Sequence, residues 1–219
     1  MLRLLFTKKG NAVWISHLDL MRVFQRAFKR AGLLLTHTQG YNPRPSVSIA
    51  LPLSVGIESN CELLDFALDG DPIPCEEIRR RLNAALSEGI NVLEVYEQGR
   101  KIRDLALLQS LITLEYDNGI PNNADSAIRE LFGREEVIVP KKTKNGMQDQ
   151  NIVSMIRRMS VTCMNDREIC IDVLACCQNP TLNPMQIPAA IELYLPELKP
   201  NFSRCSRMEI YDQNETVFR

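Results

Sequence analysis

Hydrophobic residues recur every three or four positions between Ser16 and Gly32, and this spacing predicts an amphipathic helix. Ser16 can accept a hydrogen bond from the first turn, Asp19 stands three residues later, and Gly32 can adopt the left-handed conformation that ends helices. The apolar side contains Leu20, Phe24, Ala27, Phe28 and Ala31. We therefore expect this side to dock on a sheet.

The remaining pattern predicts an α+β protein made of two tandem ferredoxin-like (βαββαβ) units with antiparallel sheets. The first half alternates apolar and polar residues in four strands, and two amphipathic helices lie between them. The second half repeats this order more faintly, with a helix beginning at Asn122 or Asn123 and another capped by Asn183. Gly99–Asp104 is the expected linker, so the predicted domains are residues 1–98 and 107–219.

The segment between the first helix and the second strand is punctuated by glycine, asparagine and proline. These residues restrict the backbone, so Gln39–Pro45 is predicted to be an ordered loop. Tyr41 and Arg44 are expected to project from it. An aromatic ring beside a cation suits stacking on a nucleobase and pairing with a phosphate.

Charge is distributed unevenly along the chain. Residues 1–45 contain eight Lys or Arg and one acidic residue, a net charge of +7, whereas residues 46–98 contain three Arg and ten Asp or Glu, a net charge of −7. This asymmetry indicates an anionic partner for the basic segment, although an acidic protein surface, including the chain's own middle, would serve equally. The helix contributes a predicted cationic stripe: Arg22, Arg26, Lys29 and Arg30.

Two further basic runs favour solvated surfaces instead. Arg79–Arg81 follow Glu76 and Glu77 at helical spacing, which predicts a salt-bridged helix face. The run KKTKNG at 141–146 predicts a charged hairpin turn.

Composition and cysteine usage indicate a globular protein of the cytoplasm. Hydrophobic residues make up 45% and charged residues 24% of 219, and no apolar run approaches the ~18 residues of a membrane span. Seven irregularly spaced cysteines fit a reducing compartment, and we interpret them as buried thiols without a metal site. No glycine-rich phosphate loop is present, so no cofactor is predicted.

Three segments carry a resemblance to a known family. The runs ISHLDLMRVFQRAFKRAG, GYNPRPSVSIALPLSVGIESNCELLDFAL and CSRMEIYD resemble the bacterial "radical SAM-linked" family, a domain found beside or fused to cobalamin-type radical SAM proteins. The chain lacks the CxxxCxxC motif, so it is not the radical enzyme itself. The resemblance implies a radical SAM protein as partner, and it favours an extended conformation for 152–160, whose spacing is otherwise helical.

The chain also departs from the family pattern at three positions. Arg44 and Ser46 stand where His and Lys are usual, and Asn151 stands where Asp is usual. A role that needs a cation at position 44 is retained, whereas one that needs a histidine there is not.

Three functions remain open. The first is a non-catalytic accessory protein that presents Arg22, Arg26, Lys29, Arg30, Tyr41 and Arg44 to RNA, such as tRNA or rRNA, and works with a radical SAM enzyme. The second is an adaptor that docks this enzyme without RNA. The third is a metal-independent endoribonuclease resembling CRISPR RNA-processing enzymes, with His17 and either Tyr41 or His37 as acid and base.

Overall fold

The computed structural model describes residues 1–143 and 146–219, so Lys144 and Asn145 of the predicted basic turn lie outside the described residues. The chain divides into two compact units, Met1–Asp104 together with Arg219, and Leu105–Phe218. Both combine helices with antiparallel strands, which confirms a mixed α+β protein. No helix in the described part of the chain is long and apolar enough to cross a membrane.

The first unit has the order strand, helix, strand, strand, helix, strand. Its strands pair antiparallel in the order β4-β1-β3-β2. A short 3-10 helix, Gly10–Trp14, connects β1 to α1. The elements are β1 (Leu2–Lys8), α1 (His17–Arg30), β2 (Val47–Ile49), β3 (Glu58–Phe66), α2 (Cys75–Ala85) and β4 (Ile90–Glu97).

Helix α1 packs on this sheet through the predicted apolar side. Phe24 meets Phe6 of β1 edge to face with ring centroids 4.7 Å apart, and Phe28 lies 4.9 Å from Phe66 of β3. Helix α2 adds Ile78 and Leu82 to the same cluster. The opposite side of α1 is therefore left on the surface.

The second unit pairs four strands antiparallel in the order β10-β5-β9-β8, with a separate hairpin of β6 and β7. Residues 153–155 form a 3-10 helix and the strand follows, so the predicted extended conformation of 152–160 holds from residue 156. The elements are β5 (Leu105–Glu115), α3 (Ala124–Phe132), β6 (Ile138–Thr143), β7 (Gly146–Asn151), β8 (Ile156–Cys163), β9 (Glu168–Cys176), α4 (Gln186–Tyr194) and β10 (Phe202–Asp212).

Several predicted boundaries are corrected. Apolar–polar alternation predicts that strand β3 begins at Glu62, but it begins at Glu58, and Ser59 pairs with Lys8 of β1. Asn123 precedes α3 in a left-handed conformation with φ 60° and makes no side-chain cap, so the cap predicted from Asn122 or Asn123 is not made by Asn123. Helix α4 begins only at Gln186, beyond the turn that Asn183 organises.

Candidate functional site

The first turn of α1 is organised by Ser16. Its hydroxyl accepts a hydrogen bond from the backbone N–H of Asp19 at 3.2 Å and donates to the Asp19 carboxylate at 2.7 Å. Arg22 Nη1 donates to the same carboxylate at 2.8 Å. The hydrogen bond from Ser16, followed by that from Arg22, lowers the pKa of Asp19 below its ordinary value. Arg22 therefore has an acidic partner three residues earlier on the same helix.

The predicted stripe does not run straight along the helix. Each four-residue step exceeds the 3.6-residue turn by about 40°, so the line from Arg22 through Arg26 winds around the helix to Arg30. Arg30 Nη2 donates at 2.6 Å to the carbonyl oxygen of Ala85, the last residue of α2. Lys29, seven residues after Arg22, returns to the side of Arg22. We call Arg22, Arg26 and Lys29 the basic α1 face.

Acidic residues of the chain leave this face largely unneutralised. Within residues 1–143 and 146–219, neither Arg26 nor Lys29 has an ion-pair partner, and both are exposed. Two carboxylates of the acidic middle segment are engaged elsewhere: Asp65 pairs with buried Arg3, and Glu77 pairs with two arginines of α2. Hydrogen bonds from Arg80 and then Arg81 lower the pKa of Glu77 to about 2. Arg26 and Lys29 thus remain exposed cations without an ion-pair partner among the described residues.

The predicted salt-bridged face of α2 is present, and its ion pairs form at both three-residue and four-residue spacing. Arg79 binds Glu76 and Arg80 binds Glu77 at three-residue spacing, and Arg81 also binds Glu77 at four-residue spacing. These arginines differ from Arg26 and Lys29 in having carboxylate partners on their own helix.

The loop that carries Tyr41 is closed by backbone hydrogen bonds. Thr38 N–H donates to the Arg44 carbonyl oxygen at 2.8 Å, and Arg44 N–H donates to the Thr38 hydroxyl at 3.0 Å. Ser46 N–H donates to the Thr36 carbonyl oxygen and continues this ribbon. Tyr41 lies at its tip and is 100% exposed, and Arg44 is exposed beside it. The predicted ordered loop thus presents both side chains to solvent.

The structure does not bring the two histidines together. His17 is the first residue of α1. Two residues earlier, the carbonyl oxygen of Ile15 accepts a hydrogen bond from Lys8, and Lys8 pairs with Ser59 at the start of β3. His17 therefore lies near the start of β3. His37 lies in the ribbon beyond the other end of β3, two residues from the bridge between Leu35 and Leu68. The nine residues of β3 extend over about 27 Å. Tyr41 lies at the same end of β3 as His37, so His17 is close to neither of its proposed acid–base partners.

One ring nitrogen of His17 is nevertheless buried. The residue as a whole is half-buried, and its Nδ1 atom is buried without a hydrogen-bond partner in the described chain. His37 is exposed.

Five of the seven cysteines lie in the second unit. Among the described residues, no three His, Cys, Asp or Glu side chains are grouped as metal ligands would be. Cys177 and Cys205 are buried, Cys170 and Cys176 are half-buried, and Cys163 is exposed, which corrects the prediction that all the thiols are buried. Lys141 of the predicted basic turn donates to the Thr181 carbonyl oxygen at 3.2 Å.

Sequence reasoning missed two exposed apolar residues near the start of α1. Trp14 is 68% and Leu18 69% exposed. Leu18 precedes Arg22 by four residues and therefore adjoins the basic α1 face. The exposure of Leu18 could have been predicted from the sequence, because its position falls outside the helical spacing of the buried side.

Comparisons with known proteins give a fold and a family. A chain of the "Crystal Structure of a Cbf5-Nop10-Gar1 Complex" aligns with a TM-score of 0.52 at 10% identity, over 99% of this chain and 51% of that one. A chain of the "Structure of H/ACA RNP bound to a substrate RNA containing 2'-deoxyuridine" aligns with a TM-score of 0.49 at 9% identity, over 99% and 50%. The protein thus spans about half the length of these chains, and at such identity the likeness concerns the fold alone.

No curated protein matches the sequence. Residues 1–184 match the bacterial family DUF2344, described as an uncharacterized protein conserved in bacteria. This match covers the basic α1 face, the Tyr41 loop and most of the second unit. The chain therefore belongs to the DUF2344 family.

Proposed function

We propose that the protein is a non-catalytic RNA-binding accessory protein whose contact surface is the basic α1 face together with Tyr41 and Arg44. The observation that carries the proposal is the exposure of Arg26 and Lys29 without an acidic partner in the described chain. Exposed cations at helical spacing suit successive phosphates, and the exposed Tyr41 ring suits a nucleobase. The separation of His17 from Tyr41 and His37 favours binding over cleavage.

The proposed partner enzyme is a radical SAM protein of the cobalamin type. Support comes from the resemblance of the motifs ISHLDLMRVFQRAFKRAG and GYNPRPSVSIALPLSVGIES to the radical SAM-linked family. In this proposal the enzyme modifies an RNA, such as tRNA or rRNA, that the basic α1 face holds.

We also propose that both units are ferredoxin-like, with the domain boundary between residues 98 and 107. Support in the first unit is the β4-β1-β3-β2 strand order combined with two helices in one core cluster. Strands β5, β8, β9 and β10 and helices α3 and α4 follow the same plan in the second unit if the β6–β7 hairpin is an insertion.

The test is fluorescence anisotropy of the purified protein with labelled RNA hairpins and single strands across a salt series. We expect Arg26→Gln/Lys29→Gln to weaken binding and to lower the slope of log affinity against log salt by about 1.4, because two phosphate contacts are lost. The matched control is Arg79→Gln/Arg80→Gln, which removes the same charge from arginines that carry carboxylate partners. This control should bind RNA with an unchanged slope.

Equal effects of the two variants would show that only net charge matters, and would contradict a specific surface on α1. Absence of RNA binding at low salt would overturn the proposed function. Co-purification with the radical SAM enzyme from nuclease-treated lysate would then indicate the adaptor function, and loss of that association in Arg26→Gln/Lys29→Gln would assign it to the same face.

A further inference from the structure

Trp14 is the only tryptophan in the sequence, and its side chain is exposed to solvent. It ends the 3-10 helix Gly10–Trp14, immediately before the residues that start α1. Leu18, the second residue of α1, and Val55, next in sequence to Gly56, are also exposed, by 69% and 52%. A large ring and two aliphatic side chains thus lie near the N-terminal end of the basic α1 face.

The backbone on both sides of Trp14 is fixed by buried hydrogen bonds. Lys8 has a fully buried side chain, and its Nζ donates to the carbonyl oxygens of Val13 at 3.2 Å and Ile15 at 2.9 Å. Gly56 N–H donates to the Val13 carbonyl oxygen at 2.9 Å. The backbone that carries Trp14 is therefore held in place before any ligand binds, which lowers the entropy lost on binding.

The ring of Trp14 lies beside Gly56. A Cβ atom at position 56 would lie 3.6 Å from Cζ3 of the ring, and Gly56 has a φ of +85° that favours glycine. Trp14 as a whole is 68% exposed. An exposed aromatic ring is a platform on which a nucleobase can stack.

The charge beside the platform indicates what it stacks on. Leu18 and Arg22 are four residues apart on α1, and Arg26 and Lys29 continue along the exposed side. A nucleobase on Trp14 would place its phosphates toward these cations. Bases inside a duplex are already stacked on one another and cannot use such a ring, so the ligand must be unpaired.

We infer that Trp14 is a stacking site for an unpaired nucleobase, so that the proposed RNA surface is specific for single-stranded segments. The inference rests on the proposed function and extends it to the class of RNA. Trp14 precedes the first residue of α1, and Tyr41 lies at the sheet end where α1 finishes. The 14 residues of α1 extend over about 20 Å, the length of roughly six stacked nucleotides at ~3.4 Å each.

The experiment uses the intrinsic fluorescence of Trp14, since all tryptophan emission comes from this one residue. The full chain is titrated with a single-stranded RNA of about eight nucleotides and with the same sequence annealed as a duplex, and anisotropy of a labelled copy is followed in parallel. We expect saturable quenching by the single strand, with the midpoint given by anisotropy, and weaker binding of the duplex.

Variants then test the ring itself. Trp14→Ala should weaken single-strand binding about 5- to 150-fold, the range for the loss of one stacked base, and should bind the duplex as the unchanged protein does. Trp14→Phe should retain most of the affinity because it keeps an aromatic face. The matched control is Leu34→Ala, which removes another large exposed apolar side chain of the same unit and should have no effect.

The outcomes separate this inference from the function on which it rests. Single-strand binding by anisotropy without quenching, or with full affinity in Trp14→Ala, would overturn the stacking site and leave the RNA-binding function standing. Duplex binding as tight as single-strand binding would also overturn it. No RNA binding by either readout would overturn both.

Discussion

The buried ion pair between Arg3 and Asp65 provides the most demanding stability test in the first unit. The two residues lie directly opposite each other on β1 and β3. Arg3 Nε and Nη2 donate to the two carboxylate oxygens at 2.6 and 3.0 Å, and Gln98 adds a third donor at 2.5 Å. The Arg3 side chain is 0% and the Asp65 side chain 10% exposed, so water cannot replace a lost partner.

We expect Arg3→Leu to lower the free energy of unfolding by about 3–5 kcal/mol, the cost of leaving a buried charge without its counterion. Arg3→Leu/Asp65→Leu should be less destabilised than Arg3→Leu alone, because it removes the orphaned carboxylate as well. The measurement is urea unfolding followed by far-ultraviolet circular dichroism, with Asp65→Leu completing the double-mutant cycle.

The matched control is Arg22→Leu, which breaks an exposed pair of the same two residue types. Solvent screens that pair, so we expect no measurable change in the urea midpoint. A loss below about 1 kcal/mol in Arg3→Leu, or additive effects in the cycle, would refute the argument that burial makes this pair essential.

Two further predictions concern backbone fit and thiol reactivity. Gly89→Ala should lower the free energy of unfolding by about 2 kcal/mol or more, because Gly89 has φ +85° and an added Cβ would lie close to the Lys9 carbonyl oxygen. Gly99→Ala is the control, since Gly99 has open space and no such φ, and it should leave urea unfolding unchanged. Equal stabilities of the two variants would contradict the reasoning. Burial raises the pKa of Cys177 to about 12 and of Cys205 to about 11. Alkylation at about pH 8 followed by mass spectrometry should therefore label exposed Cys163 first, and these two thiols only after unfolding. Rapid labelling of Cys177 and Cys205 in the folded protein would contradict this prediction.

Local features of the first unit could be predicted from the sequence because their causes are local. The Ser16 cap and the buried side of α1 follow from residues within one or two turns of each other. The start of β3 could not be predicted, because Glu58–Asn60 join the strand through pairing with Lys8, fifty residues earlier. Asn123 shows a different limit: asparagine suits both a helix cap and a left-handed backbone, and the turn before α3 uses the second property.

The candidate site shows the same division between local and distant causes. Recurrence at every fourth residue placed cations on the exposed side of α1, but it could not show that Arg30, which is also exposed, donates to the end of α2. The charge count could not decide whether the acidic middle segment neutralises the basic one. That answer depends on which carboxylates fold next to which cations, and in the described chain Asp65 and Glu77 are paired with arginines outside α1.

The number of available cations limits what electrostatics alone can contribute to RNA binding. Arg22, Arg26, Lys29 and Arg44 could contact at most four phosphates, which bounds the salt slope for a single strand at about 3. Arg22 already shares its charge with Asp19, so the practical bound is lower. Affinity that persists at high salt must therefore come from contacts that salt does not screen, and stacking is the contact that exposed Trp14 and Tyr41 can make. A slope well above 3 would require cations beyond this surface, whereas a small slope with tight binding would point to the aromatic rings as the main source of affinity.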